Sequence, residues 1–365
     1  MTDILRAVSD RVNTVAKGLL IVAAFTMVAA VFGQVVFRYV LKMPLSWSEE
    51  LARYTFMWTT FLGASVALRY KSLPNITLGL RLFPAVVRPY LFLITNALSL
   101  WFCYEIIVHG ATIAMAVLPD KSPGLDFTIA WAYAALPIGA AFMLVHILYL
   151  VAEESQEKLG NPLLGLAIII GLALGLSFIV SQPLPGLNYL LVILLLLFFA
   201  LGVPIAISLA LLTVVAFTSL GDFPLTVIPQ RMFVGLDSFT LMAVPFFMLA
   251  GAIMHSGGIA IRLVNFASAL VGWIRGGLIP ANVLASIIFA DMSGSAASDT
   301  AAIGNVMLPG MIKRGYERNF VTALQAAAGS LGVQFPPSSG MLLYAFVANR
   351  SEEHTSELQS HHDLV

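Results

Sequence analysis

From Gly18 to Val40 the chain carries one charged residue, Arg38, and from Leu163 to Val180 and again from Tyr189 to Ser219 it carries none. In lipid every backbone N–H and C=O has to be satisfied within the spanning structure, so an apolar run of about 20 residues crosses the bilayer as a helix. These runs are continuous rather than alternating, which selects helices over the shorter strands of a barrel. Charged residues make up 10% of the 365 and hydrophobic residues 59%, against about 25% charged in soluble domains. The predicted fold class is an all-α polytopic membrane protein.

The 19 basic and 19 acidic residues cancel, which gives no reason to expect nucleic acid or an electrostatically held partner. Their placement instead reports topology, because short cytoplasmic loops are rich in Lys and Arg. The leader holds Arg6, Arg11 and Lys17, and the loop after the second span holds Arg69, Lys71, Arg81 and Arg88, whereas 119–126 holds only Lys121. The amino terminus is therefore expected in the cytoplasm, and the first run, lacking a small-residue cleavage site, is expected to be retained as a span.

Spans are predicted at 18–40, 51–69, 90–117 and 128–152. Before the second, Pro44 to Tyr54 reads as an amphipathic interfacial helix capped by Ser46 or Ser48, with Trp47, Glu49 and Glu50 in its first turns. A polar linker, 152–162, leads to a further span at 163–180. The run 189–219 is interrupted at Gly202 and Pro204, and spans near 239–256 and 259–274 follow, the latter bracketed by two Gly-Gly pairs.

Phe289 to Pro337 is a polar island at membrane depth, rich in Gly, Ser, Thr and Ala. The residues between Arg275 and Lys313 are too many for one span and suit two half-length helices that enter and return, turning at Ser293, Gly294 and Ser295. An Asp near the bilayer centre costs about 2.5–3.5 kcal/mol on insertion scales, so Asp291 and Asp299 need a cation, a donor network or water. A second interruption follows, where Gly329, Gly332, Pro336 and Pro337 break a span beginning near Asn319, with Gln334, Ser338 and Ser339 at the break. Freed carbonyls at such breaks coordinate cations, and half-helix amino ends face anions. Close helix packing would use the same small residues.

Other chemistry has little support. No G-x-x-x-x-G-K-[ST] loop or other cofactor motif is present, and Ser293 and Ser295 lack a G-x-S-x-G frame. His109, His146 and His255 are scattered singly, and Cys103 lies inside an apolar run; packing is the simpler reading of each.

The stretch 231–348, with RGGLIPANVLASIIFADMSGSAASDTAAIG, GYERNF and PPSSGMLLYAFVA, resembles the large membrane subunit of tripartite ATP-independent periplasmic (TRAP) transporters. FRYVLKMPLSWSEELARYTFMWTTFLGASVALR, 37–69, is similar to the signature of the small membrane subunit of the same systems. The resemblance implies a small-subunit-like four-helix domain at 1–152, a linker with a connecting helix at 153–187, and the first half of a large transport subunit at 188–349. The connecting helix would supply the extra crossing that such a fusion requires.

What the resemblance implies about function is uptake, not enzymatic turnover: sodium-coupled import of a small organic acid delivered by a periplasmic substrate-binding protein, across the bacterial inner membrane and amid its lipid. Ser293, Gly294, Ser295, Asp299, Gly332 and Pro336 become candidate sodium ligands, and Ser295, Gln334 and Ser338 candidate substrate contacts. Trp47, Glu50 and Arg53 are candidates for the interface between the two subunit-like parts. The family's large subunit has two inverted halves and only one hairpin with one broken helix occurs here, while RSEEHTSELQS, 350–360, resembles a translated sequencing-library adapter. The expectation is a large subunit truncated after its first half and inactive as such, with 350–365 an artefact. The alternative is a membrane scaffold or assembly subunit.

Overall fold

The computed structural model describes residues 2–348 apart from 44, 77–82, 85–86, 181–186, 221–223, 294–295, 332–333 and 335–338; 350–365 lie outside the described residues. Every regular element among those described is helical, with two isolated backbone bridges, Asn75 to Pro204 and Lys121 to Thr128. The protein is an all-α polytopic membrane protein.

The chain divides into two compact units, 1–237 and 238–365. The first opens with α1 (Thr2–Val35), which ends in a π-helical turn at Val36–Val40. The polar leader is part of this helix because neighbours engage it. The buried Ser9 hydroxyl meets His146 Nδ1 at 2.8 Å, Asn13 Nδ2 donates to the Tyr70 hydroxyl at 3.2 Å, and Asp10 accepts from Arg69 at 2.8 Å. These bonds gather the leader, the end of the second helix and the fifth helix at one edge of the unit. His146 thus has a hydroxyl partner within the helix packing.

Helix α2 (Ser46–Arg69) runs unbroken from the predicted interfacial segment into the span. No side chain caps it; Leu45 is the N-cap, and the Ser48 hydroxyl instead donates back to the Leu45 carbonyl at 2.9 Å. Then come α3 (Arg88–Ala116), the single turn α4 (Ala130–Tyr133) and α5 (Ala135–Leu159), which stops at Gly160 with φ +69°. The connecting helix is α6 (Pro162–Val180). The predicted run at 189–219 is two helices, α7 (Leu187–Ala200) and α8 (Ile205–Leu220), because Gly202 takes φ +76° and Pro204 has no N–H to donate. Helix α9 (Val227–Leu236) completes the unit. Among the described residues three segments, Thr2–Val40, Arg88–Ala116 and Ala130–Lys158, are each long and apolar enough to cross a membrane.

One buried cluster joins Leu93, Trp101 and Phe102 of α3 and Ile147 and Val151 of α5 to Ile169 of α6, Phe198 of α7, and Ile207, Leu211 and Val214 of α8. Lipid tails are as apolar as Leu, so close packing rather than escape from water holds such helices together. The fully buried Cys103 belongs to this cluster. Residues 188–237 therefore fold with the four-helix part that precedes them, and the boundary between the two packing units falls at 237/238.

The second unit contains α10 (Phe239–Ser256), α11 (Ile259–Val271), α12 (Leu278–Ser293), α13 (Ala296–Lys313), α14 (Arg318–Ser330) and α15 (Ser339–Ala348). Gly258 and Gly276, with φ +72° and +75°, supply the turns on either side of α11. Its core packs Val264 and Ala267 of α11, Ala285 and Phe289 of α12, Ile303 and Met307 of α13, and Val321 of α14.

Candidate functional site

Helix α12 ends at Ser293, α13 begins at Ala296, and the two helices pack against one another. Helix α14 lies against α13. A Cβ added to Gly329 would stand 1.9 Å from Thr300 Oγ1 and 3.1 Å from Thr300 Cα, and one added to Gly304 would stand 3.2 Å from Gln325 Cγ. Thr300 and Gly304 lie one turn apart on α13, as Gln325 and Gly329 do on α14. The helices are therefore antiparallel in close contact, with the start of α13 beside the end of α14. The hairpin break at 294–295 and the helix interruption after Leu331 consequently fall at the same end of the pair.

Asp299 sits in the first turn of α13 and is fully buried. A carboxylate there is favoured by the amino end of the helix dipole. The last carbonyls of α12 and α14 lie at the helix ends, where the regular ladder stops; on α14 those of Ala327, Ala328 and Gly329 accept from the Ser330 hydroxyl and the Leu331 N–H. Among the described residues no group of three His, Cys, Asp or Glu side chains could hold a metal, so a cation here would draw mainly on backbone carbonyl and hydroxyl oxygens, the ligands of hard ions. Of the predicted site residues, Gly294, Ser295, Gly332, Pro336 and Ser338 lie outside the described residues, and only the backbone of Ser293 is described. Gln334 is exposed, with its N–H bonded to the Leu331 carbonyl at 2.8 Å.

Three polar residues missed in the sequence reading also belong to this region. Asn282 and Ser286, one turn apart on α12, and Gln325 on α14 are at most 2% exposed. Their side-chain N and O atoms have no hydrogen-bond partner among the described residues. In sequence each looks like one polar residue in an apolar helix; the signal was the four-residue spacing of Asn282 and Ser286.

The three candidate interface residues face different neighbours. Arg53 Nε stands 3.4 Å from Asp237 Oδ1, which joins α2 to the end of α9. Glu50, nearly buried ahead of the apolar stretch of α2, accepts from the Tyr54 hydroxyl at 2.9 Å and from the Gly124 N–H at 2.7 Å. Burial alone would raise its pKa. Hydrogen bonds from Ser122, Tyr54 and Gly124, with the charge of Arg53, outweigh that and hold the carboxyl below its ordinary 4.5. Trp47 is 40% exposed and lines an apolar groove with Leu125 and Trp131. Above this network the rings of Tyr133 and Phe233 stack at 3.7 Å, nearly parallel, and Tyr54 meets Trp131 edge-on at 5.7 Å.

Comparison with known proteins finds two matches in successive parts of the chain. Residues 27–157 match the DctQ component of the tripartite ATP-independent periplasmic transporters, and 192–354 match the DctM component. The isethionate TRAP transporter permease protein DctMQ of Oleidesulfovibrio alaskensis is 33% identical over 316 residues, 84% of this chain and 48% of that protein. The sialic acid TRAP transporter permease protein SiaT of Haemophilus influenzae is 32% identical over 352 residues, 89% and 56% of the two chains. A C4-dicarboxylate TRAP transporter large permease protein DctM of Vibrio cholerae is 42% identical over 151 residues, 41% of this chain and 33% of that one. The chain spans about half the length of the first two of these curated relatives.

Proposed function

Since the chain belongs to the tripartite ATP-independent periplasmic transporter family and joins its small and large membrane components in one polypeptide, we propose that it is the membrane part of a sodium-coupled importer of an organic acid. A periplasmic substrate-binding protein delivers the acid, and the membrane is the bacterial inner membrane, with the amino terminus in the cytoplasm. The observation that carries this reading is the order of the two component matches, DctQ then DctM, along one chain. The buried Asp299 beside two helix breaks supports a cation at the hairpin. Relatives named for isethionate, sialic acid and C4-dicarboxylates support an anionic substrate.

In this reading Ser293, Gly294, Ser295, Asp299, Gly332 and Pro336 hold sodium, and Ser295, Gln334 and Ser338 meet the acid. One net charge moved across 100 mV is worth about 2.3 kcal/mol, roughly fifty-fold in concentration, so one or two sodium ions in excess of the substrate charge drive uptake without ATP. One hairpin and one broken helix form half of the site, and the 365 residues alone do not transport. Uptake assays in proteoliposomes with the cognate binding protein test this. The assays compare these residues with a chain extended to the length of the relatives. Uptake by the extended chain that persists after the sodium gradient is collapsed rejects the coupling, and uptake by the 365 residues alone rejects the half-site.

A further inference from the structure

A cavity of about 340 Å³ opens in the first unit where α2 ends, α3 begins and α5 ends. Three cations, Lys71, Arg88 and Lys158, and one anion, Glu154, lie on its walls, three positive charges against one negative and so a net of two positive. Glu154 is shared between both lysines, 3.6 Å from Lys71 Nζ and in direct contact with Lys158. Lys71 is turned into this position by a left-handed backbone, φ +53°, that L-residues rarely adopt.

Leu68, Phe92 and Leu201 give the cavity an apolar side, next to the polar Asn75, Thr95, Asn96 and Ser99. It is also firmly built, because the Ile205 N–H donates to the Pro74 carbonyl at 3.0 Å and the Thr95 hydroxyl to the Leu201 carbonyl at 3.0 Å. Segments from both component matches thus close one cavity. Its basic rim coincides with the ends of α2, α3 and α5, the level at which lipid headgroups meet such helices.

We propose that this cavity binds a phosphate-bearing anion, supplied as the headgroup of an anionic phospholipid, which ties the DctQ-like and DctM-like segments together. The charge excess suits an anionic headgroup, and basic pockets between membrane helices hold such groups. The apolar wall suits the first carbons of the acyl chains, which a free phosphate would leave uncovered. This site is independent of the hairpin and of sodium.

The test uses the full chain in neutral detergent with phosphatidylcholine, adding phosphatidylglycerol or inorganic phosphate, with the thermal midpoint as readout. Phosphatidylglycerol is expected to raise the midpoint above that in phosphatidylcholine alone. The Lys71→Gln/Arg88→Gln variant should need about 30-fold more of it for the half-maximal shift. Lys121→Gln, on a different loop, should match the parent. An equal shift from inorganic phosphate would replace the lipid by a free anion and overturn the lipid assignment. Equal responses to the two lipids, or an unchanged double variant, would overturn the site. If the double variant does not fold, native mass spectrometry of the parent decides: retained phosphatidylglycerol supports the proposal, and its absence overturns it.

Discussion

Arg53 on α2 and Asp237 at the end of α9 form an ion pair at 3.4 Å, 29% and 33% exposed. It links the DctQ-like segment to the DctM-like one inside a single compact unit. A pair this open to solvent contributes little by itself, and a double-mutant cycle with Arg53→Ala and Asp237→Ala should return a coupling of about 0.2–1 kcal/mol. The charge-swapped Arg53→Asp/Asp237→Arg chain should recover most of the thermal midpoint lost in either single reversal.

Packing at the same junction matters more. Phe233 is buried and stacked on Tyr133, so Phe233→Ala should cost about 3–5 kcal/mol in unfolding measurements, through lost contacts and the cavity left behind. Phe233→Leu keeps most of the volume and should cost about 0.5–1.5 kcal/mol, the share of the aromatic pair.

Glu50 gives this junction a pH dependence of known sign. Its carboxyl is held below 4.5 in the folded protein, so its stabilisation is complete above that value and is lost as pH falls through the depressed folded one. The thermal midpoint of the parent should drop as the medium is acidified below 4.5, and Glu50→Gln should flatten that part of the profile. A drop of the same size in Glu50→Gln would assign the acid sensitivity elsewhere.

The α13–α14 contact should tolerate no side chain at Gly329. Its Cβ would stand 2.9 Å from Thr300 Cβ and 3.1 Å from Thr300 Cα, and Gly329→Ala should destabilise by about 1–3 kcal/mol. Removing the opposing side chain in Gly329→Ala/Thr300→Gly should recover part of the loss, beyond the usual cost of a helical glycine.

Asp299→Asn preserves shape and removes the charge at the proposed cation site. In the extended chain reconstituted for the uptake assay it should raise the sodium concentration for half-maximal uptake by tenfold or more, about 1.4 kcal/mol or above, while the circular dichroism spectrum stays that of the parent. Unaltered sodium dependence would remove Asp299 from the site.

What could be read from the sequence is what depends on neighbours along the chain. The apolar run at 163–180 is α6, the Gly202–Pro204 pair separates α7 from α8, and the small polar residues at 293–295 coincide with the end of α12 and the start of α13. Relationships between distant residues were not legible. Nothing near Ser9 announces its bond to His146, 137 positions away, and the leader therefore looks like a polar tail rather than part of a helix. Residues 188–237 read as the start of a new domain, yet Phe198, Ile207 and Phe233 are buried against helices that come earlier in the chain. Gln325 is likewise visible only once its burial is known, whereas Asn282 and Ser286 leave the trace of their four-residue spacing.

The close approach of Gly329 to Thr300 carries a mechanical consequence. Because the Thr300 side chain is seated directly on the bare α-carbon of Gly329, α13 and α14 cannot slide along one another without driving that side chain into the α14 backbone. Over the length where they touch, the pair behaves as one stiff strut. A displacement at one end of the strut would be carried undiminished to the far end of both helices.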